Sequence, residues 1–272
     1  MTPAQQDQED AGAPAIVAQL SDLHLRAGEA GAGPARRLQA ALNLLAGLRP
    51  RPSAVLVSGD IADRASPEVY GQAHEMLSEL GLALHVIPGN HDDRDLLRAR
   101  FGPAGAPAGS PVHFAADCGG LRVVGCDSTV PGSDAGALSA GELDWLAQQL
   151  ASEPTTPTLL ALHHPPVLSG LRMMDAIALA PAGRAALEDL LGRHPQVLAV
   201  TCGHVHTSMA SSFAGRPLLI CPSTNSTVRL DLRPLDGLPF EASPQPVGLL
   251  VHALAEDHLV SHFQPLNAPA AP

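Results

Sequence analysis

The chain has 272 residues and a formal net charge of −11, with 45% hydrophobic, 16% charged and 3% aromatic residues. That hydrophobic share supports a sizeable core and excludes an intrinsically disordered chain. The acidic balance argues against a partner held through nucleic-acid phosphates, and so few aromatics leave little to stack on bases. All 16 basic residues are Arg and Lys is absent, which points to genome composition rather than to function.

The four cysteines, Cys118, Cys126, Cys202 and Cys221, show no C-x-x-C spacing. A two-residue turn at Gly119-Gly120 would set Leu121 opposite Cys118 and His113 opposite Cys126, so those thiols are expected to be reduced. The N-terminus carries neither the basic nor the apolar segment of a signal peptide. No apolar run reaches the roughly 18 residues of a membrane span. A cytoplasmic protein with no membrane partner is therefore expected. Residues 1–14 and 267–272 read as mobile tails around one domain over 15–266.

In chain order, short apolar runs alternate with helical patterns, as in a parallel α/β sheet. Ala15–Leu20 reads as a strand, followed by a helix over Pro34–Leu48 with Leu38, Leu42, Leu45 and Leu48 on one face. Ala54–Val57 is a second strand. Ser66 as N-cap, Pro67 at the first position and Gly81 beyond the end delimit the next helix. Leu82–Ile87 is a third strand, and a hairpin is expected around Gly119-Gly120. Ser139-Ala140-Gly141-Glu142 forms a capping box opening the helix of Trp145. Thr158–Leu162, Val197–Cys202, Val247–Leu254 and Leu259–Phe263 complete the strand-like runs, with a proline-rich loop between Asp231 and Pro246.

Five of these runs end in a polar cluster that can bind metal. They are Asp22-Leu23-His24, Gly59-Asp60, Gly89-Asn90-His91-Asp92, His163-His164 and Gly203-His204-Val205-His206. Carboxyl ends of parallel strands share one edge, where ligand sites form. In an extended segment residues i and i+2 point the same way, so Asp22 with His24, and His204 with His206, are expected to face one site. Glycines 59, 89 and 203 would allow sharp turns and close approach. Carboxylate, imidazole and amide oxygen donors suit Mn, Fe, Zn or Co, and the lack of Cys donors speaks against a closed structural zinc site. Each motif alone is weak, but six of the 13 histidines fall in these clusters, which separates them from a chance scatter.

The five motifs, in this order, resemble those of the calcineurin-like metallophosphoesterases, over about Ile16 to Ser226. Gly89–Arg94, Cys126–Gly132 and Leu162–Pro166 are similar to segments of class III cyclic nucleotide phosphodiesterases and of the related glycerophosphodiesterases. The resemblance implies a four-layer α/β/β/α sandwich with two mixed β-sheets flanked by helices. It implies two transition metal ions, the first held by Asp22, His24, Asp60 and His206. The second would share Asp60 and be completed by Asn90, His163 and His204. It further implies hydroxide attack on a small phosphodiester, most naturally a 3′,5′-cyclic nucleotide such as cyclic AMP, with His91 as the catalytic histidine beside the phosphate.

Asn90, His91, Asp63, Arg64, His164, the segment Arg172–Asp175 and Arg229 are candidate substrate contacts. His164 is open between substrate contact and structural hydrogen bonding. Loops of mostly Ala, Gly, Pro and Ser suggest an open cleft with modest selectivity. A glycerophosphodiesterase or phosphomonoesterase is the alternative enzyme, and a non-catalytic metal-binding scaffold the alternative of another class. A homo-oligomer is compatible with either.

Overall fold

The computed structural model describes residues 14–102, 106–233, 241–243 and 246–266. The tails expected over 1–14 and 267–272, save residue 14, and most of the Asp231–Pro246 loop lie outside the described residues. Strand β1 (Ala15–Leu20) shows how one run serves two cores. Ala15 and Val17 face a cluster between two sheets, whereas Ile16, Ala18 and Leu20 pack with Leu38, Leu42 and Leu45 of helix α1 (Ala32–Gly47). Alternation with a period of two, apolar on both faces, is the pattern of a strand covered on both sides.

The first sheet adds β2 (Ala54–Val57), β3 (Ala83–Val86), β10 (Gly248–Ala255) and β11 (His258–Pro265), in the order β11-β10-β1-β2-β3. The second contains β4 (Phe114–Asp117), β5 (Arg122–Gly125), β6 (Thr158–Ala161), β7 (Val197–Cys202), β8 (Met209–Phe213) and β9 (Arg216–Ile220), ordered β4-β5-β6-β7-β9-β8. β1-β2-β3 and β5-β6-β7-β9 run parallel, while β10, β11, β4 and β8 pair antiparallel at the margins. Leu56, Leu121, Val123, Leu159 and Ala199 fill the space between the sheets.

Outside the first sheet lie α1, α2 (Pro67–Ser78) and α3 (Arg94–Phe101). Outside the second lie α4 (Ala140–Ser152), α5 (Arg172–Asp175) and α6 (Pro181–Leu191). The architecture is the four-layer α/β/β/α sandwich. Ser66 caps α2 through the Val69 amide, and Ser139 and Glu142 form the capping box of α4. The hairpin also has the expected register: the Cys118 amide donates to the Leu121 carbonyl at 2.9 Å. All four cysteines are buried and unpaired. Among the described residues no helix is long and apolar enough to cross a membrane.

The inter-sheet core contains one polar knot. The Gln19 amide donates to Ser58 Oγ at 2.8 Å, and its oxygen accepts from Thr201 Oγ1 at 2.5 Å and from His252 Nε2 at 2.9 Å. His252 Nδ1 in turn meets Ser261 Oγ at 2.7 Å, so both ring nitrogens of this fully buried imidazole are used. Burial pushes His252 down from 6.5 to about 3. The unfolded chain takes up this proton as pH falls below 6.5, and the folded chain does not until about 3. Stability therefore declines with acidification across that window, by about 1.4 kcal/mol per pH unit from this residue. Urea unfolding followed between about pH 4 and 6.5 should show His252→Leu losing close to one proton from the pH slope.

Candidate metal centre

The ligand-type residues sit where parallel strands end. Asp22 and His24 follow β1, Asp60 follows β2, Asn90 follows β3, His163 follows β6, and His204 and His206 follow β7. The segments are not extended, as the i, i+2 argument supposed. Asp22, His24, Asp60, His204 and His206 all adopt positive φ, between 43° and 71°. Left-handed non-glycine residues cost of order 1–3 kcal/mol each, so the surrounding chain must enforce them. The Asp22 amide donates to the Gly59 carbonyl at 3.0 Å, His24 to Asp60 at 2.9 Å and Leu25 to Ile61 at 2.9 Å. These bonds zip the first two loops together and aim their side chains to one place.

Close approach explains two of the glycines. A Cβ on Gly89 would lie 2.2 Å from Asp60 Oδ1, and one on Gly203 would lie 2.0 Å from Ser21 Oγ and 3.0 Å from Asp22 Oδ2.

Asp22, His24, Asp60 and His206, all buried, bring one donor atom each within 4.8 Å of one another. His24 Nε2 is 2.9 Å from His206 Nε2 and 3.6 Å from Asp60 Oδ2, and His206 Nε2 is 3.5 Å from Asp22 Oδ1. Donors about 2.0–2.2 Å from a shared ion lie about 2.8–3.6 Å apart at octahedral to tetrahedral angles, which matches these separations. A second group adjoins the first. His163 Nε2 lies 3.6 Å from Asp60 Oδ2 and 3.2 Å from Asn90 Oδ1, which is 3.1 Å from His204 Nδ1.

Tautomers strengthen the fit. His206 Nδ1 gives its proton to the Ser226 carbonyl at 3.0 Å, and His163 Nδ1 gives its own to the Ser58 carbonyl at 2.8 Å. Each Nε2 is then left with a lone pair that faces oxygen or nitrogen lone pairs. Convergent acceptors repel unless a cation lies among them, so the donor set suits metal at both groups. Burial alone would lower His163, but the Asp60 charge beside it pushes it up to about 9. Burial tends to raise the Asp60 carboxyl, yet His163, His24 and His91 hold it well below the usual range. Burial takes His24 down to about 4. A proton on His163 thus stands where a metal ion would, and the two compete.

His91 flanks the pair. Its amide donates to Asp60 Oδ1 at 2.9 Å and its Nδ1 to the Asp63 carbonyl at 3.0 Å, which leaves Nε2 available. Although burial opposes it, Asp60 and Asp63 raise the imidazole above its ordinary 6.5. Asp92 ties this loop to the preceding one, because its carboxylate accepts from the Gly89, Ile61 and Ala62 amides and from the Tyr70 hydroxyl.

The remaining candidates divide. A cavity of about 320 Å³ is lined by His24, Asp60, Asp63, Asn90, His91, His204 and His206. His164 is fully buried and absent from that lining; Ser128 Oγ at 2.8 Å and the Asp134 carbonyl at 3.1 Å engage its two ring nitrogens. Of the two roles open to it, the geometry provides the structural one. Arg172 is exposed and also absent from the lining, because the turn of α5 presents its neighbours Met173 and Met174 instead. Arg64 points to solvent, and Arg229 pairs with Glu241 at 2.8 Å.

Sequence reasoning passed over Arg26, Asn225, Ser226 and Ile177, all of which line the cavity, whereas of the candidate segment Arg172–Asp175 it is Met173 and Met174 that do so. Arg26 continues the D-x-H alternation by two residues and pairs with Asp63 at 3.1 Å. Asn225 and Ser226 follow β9, a further parallel strand, by the same rule that places the other ligands. Ile177 carries no such signal, and with Met173 and Met174 it corrects the expectation that the loops at the site offer mostly Ala, Gly, Pro and Ser.

Compared with known proteins, residues 16–208 match the Calcineurin-like phosphoesterase family. The chain is 34% identical to a probable glycerophosphodiester phosphodiesterase of Arcobacter nitrofigilis, over 86% of this chain and 87% of that one. It is 36% identical to a cAMP/cGMP dual specificity phosphodiesterase of Mycobacterium tuberculosis, over 77% and 67% respectively. A dimetal phosphatase from Danio rerio shares the fold, with a TM-score of 0.66 at 16% identity over 94% of this chain and 97% of that one. With these motifs at the ends of these strands, the chain belongs to the calcineurin-like phosphoesterase family.

Proposed function

We propose that the chain is a dinuclear metal-dependent phosphodiesterase that hydrolyses small phosphodiesters, foremost 3′,5′-cyclic nucleotides such as cyclic AMP. The observation that carries this reading is the convergence of seven donor residues on two adjacent points that share Asp60, on the floor of an open cavity beside His91. Asp22, His24, Asp60 and His206 would hold one ion, and Asp60, Asn90, His163 and His204 the other. When bound, two cations of Fe, Mn, Zn or Co supply a water activated near neutral pH and neutralise charge on the phosphoryl oxygens.

The protein's own contribution is position and proton control. Asn90 turns its oxygen toward His163 and His204, which leaves the amide NH₂ as a donor for a phosphoryl oxygen. His91 is fixed through Nδ1, and Asp60 and Asp63 favour its protonated form, from which Nε2 would donate to the phosphate or to the leaving alkoxide. The relatives named for cyclic nucleotides and for glycerophosphodiesters have in common a diester and a metal-dependent family fold. Glycerophosphodiesters are the second reading, favoured by the long match to the Arcobacter relative. A non-catalytic scaffold is disfavoured because no ligand position is substituted.

Metal analysis tests the shared carboxylate. Asp60→Ala should lower occupancy at both positions, whereas His24→Ala should chiefly lower one; unimpaired stoichiometry in Asp60→Ala would contradict the assignment. Turnover tests the chemistry. Metal-loaded protein should hydrolyse bis(p-nitrophenyl) phosphate and cyclic AMP, lose activity to a chelator and regain it with metal. His91→Ala should slow turnover by ~10²–10⁴-fold, and wild-type rates in that variant would remove His91 from the mechanism.

A further inference from the structure

We propose that Met173, Met174 and Ile177 form an apolar subsite that binds the organic group of the diester and makes the site prefer a flat apolar group, such as a purine, over a small polyol. This rests on the phosphodiesterase reading and specifies its substrate class. The cavity has two chemistries. Its polar part is the candidate metal centre with His91, and its apolar part comes from α5 and the residue two positions beyond it. A diester held by its phosphate on the polar part can place an organic substituent within the same volume of about 320 Å³. The apolar side chains are what that volume offers a group without charge.

The subsite is preformed. Met174 is 5% exposed and belongs to the core of the second sheet, with Leu171 and Leu179. Met173 and Ile177 are half-buried and pack against that same core while facing the cavity. The Asp175 carboxylate accepts from the Ser169 amide at 2.6 Å, the Ser169 hydroxyl at 2.8 Å and the Gly170 amide at 3.1 Å, which closes the approach to α5. The Ile177 amide donates to the Met174 carbonyl at 3.2 Å, holding the exit of the turn. Little ordering is left to oppose binding. Methionine suits the task because its thioether is polarisable and makes favourable contacts with aromatic rings. The segment also starts a few residues after His163, so the subsite and a metal-type ligand are positioned by one loop.

Contact with a remote part of the substrate is felt about equally in the ground and transition states, and so belongs in KM rather than kcat. Cyclic AMP and glycerophosphoethanolamine are compared on metal-loaded wild type, Met173→Ser, Ile177→Ser and the conservative Met173→Leu. The wild type should prefer cyclic AMP. The serine variants should cut that preference, the ratio of the two kcat/KM values, by about 10- to 100-fold through KM for cyclic AMP, and Met173→Leu should restore most of it. An unchanged ratio, or a wild-type preference for the glycerol diester, would overturn the subsite. Binding of AMP and of glycerol 3-phosphate to the same proteins by calorimetry decides the matter without turnover. Weaker AMP binding in the serine variants supports the subsite, and unaltered binding refutes it. If no diester is hydrolysed while AMP binding responds as expected, the phosphodiesterase reading fails and the subsite stands.

Discussion

The division of the Asp60 carboxylate is the interaction on which the site depends. One oxygen accepts the His91 amide at 2.9 Å, and the other lies 3.6 Å from both His24 Nε2 and His163 Nε2. The residue is 2% exposed, so its charge acts in a medium that screens poorly. An isolated buried carboxylate would be protonated or expelled. Here the surrounding imidazoles keep it ionised, and it in turn favours positive charge on His163 and His91. A proton on His163 or a metal ion satisfies the same field. That field favours a cation at this point.

Such a cluster is expensive to build, and the supporting residues show how the fold stabilises it. Five ligand-type residues hold left-handed backbone, and main-chain hydrogen bonds between neighbouring loops keep them there. Asp92 and Tyr70 bind the loop of Asn90 to that of Asp60. Gln19 connects Ser58, just ahead of Asp60, to Thr201 on the other sheet and to His252. Ser58 also receives the His163 proton, so both sheets contribute to one rigid frame. Buried polar groups joined in this way favour a single arrangement over near alternatives, and His24 Nδ1 and His204 Nε2 are the cluster's buried atoms left without a hydrogen-bond partner among the described residues.

The cavity combines this fixed, charged floor with a part of different character. Charge and coordination treat all phosphodiesters alike, because every diester presents the same PO₂⁻ group. Discrimination must come from what touches the substituents. Met173 and Ile177 are the apolar groups placed to do so at the cavity surface, while Arg26, Asn225 and Ser226 add polar contacts.

Much of the site was legible in the sequence because its ligands follow a local rule. An apolar run predicts a strand, a parallel strand predicts a shared edge, and the polar residues just beyond each run predict who meets there. Asp22 and His206, 184 positions apart in sequence, meet at that edge at 3.5 Å. Cap and turn residues placed α2, α4 and the β4–β5 hairpin for the same reason: their chemistry is satisfied within a few residues. What the sequence could not supply was direction. Whether Arg172 or Met173 enters the cavity depends on the rotation of a four-residue turn, and that rotation is set by Asp175 contacts and by Met174 packing into a distant core. Whether His164 serves substrate or scaffold depends on Ser128 and Asp134, which reach it from another loop. Sequence determined which residues assemble at the edge of the sheets; only tertiary packing decided which atoms face the cavity, because orientation is fixed by partners remote along the chain.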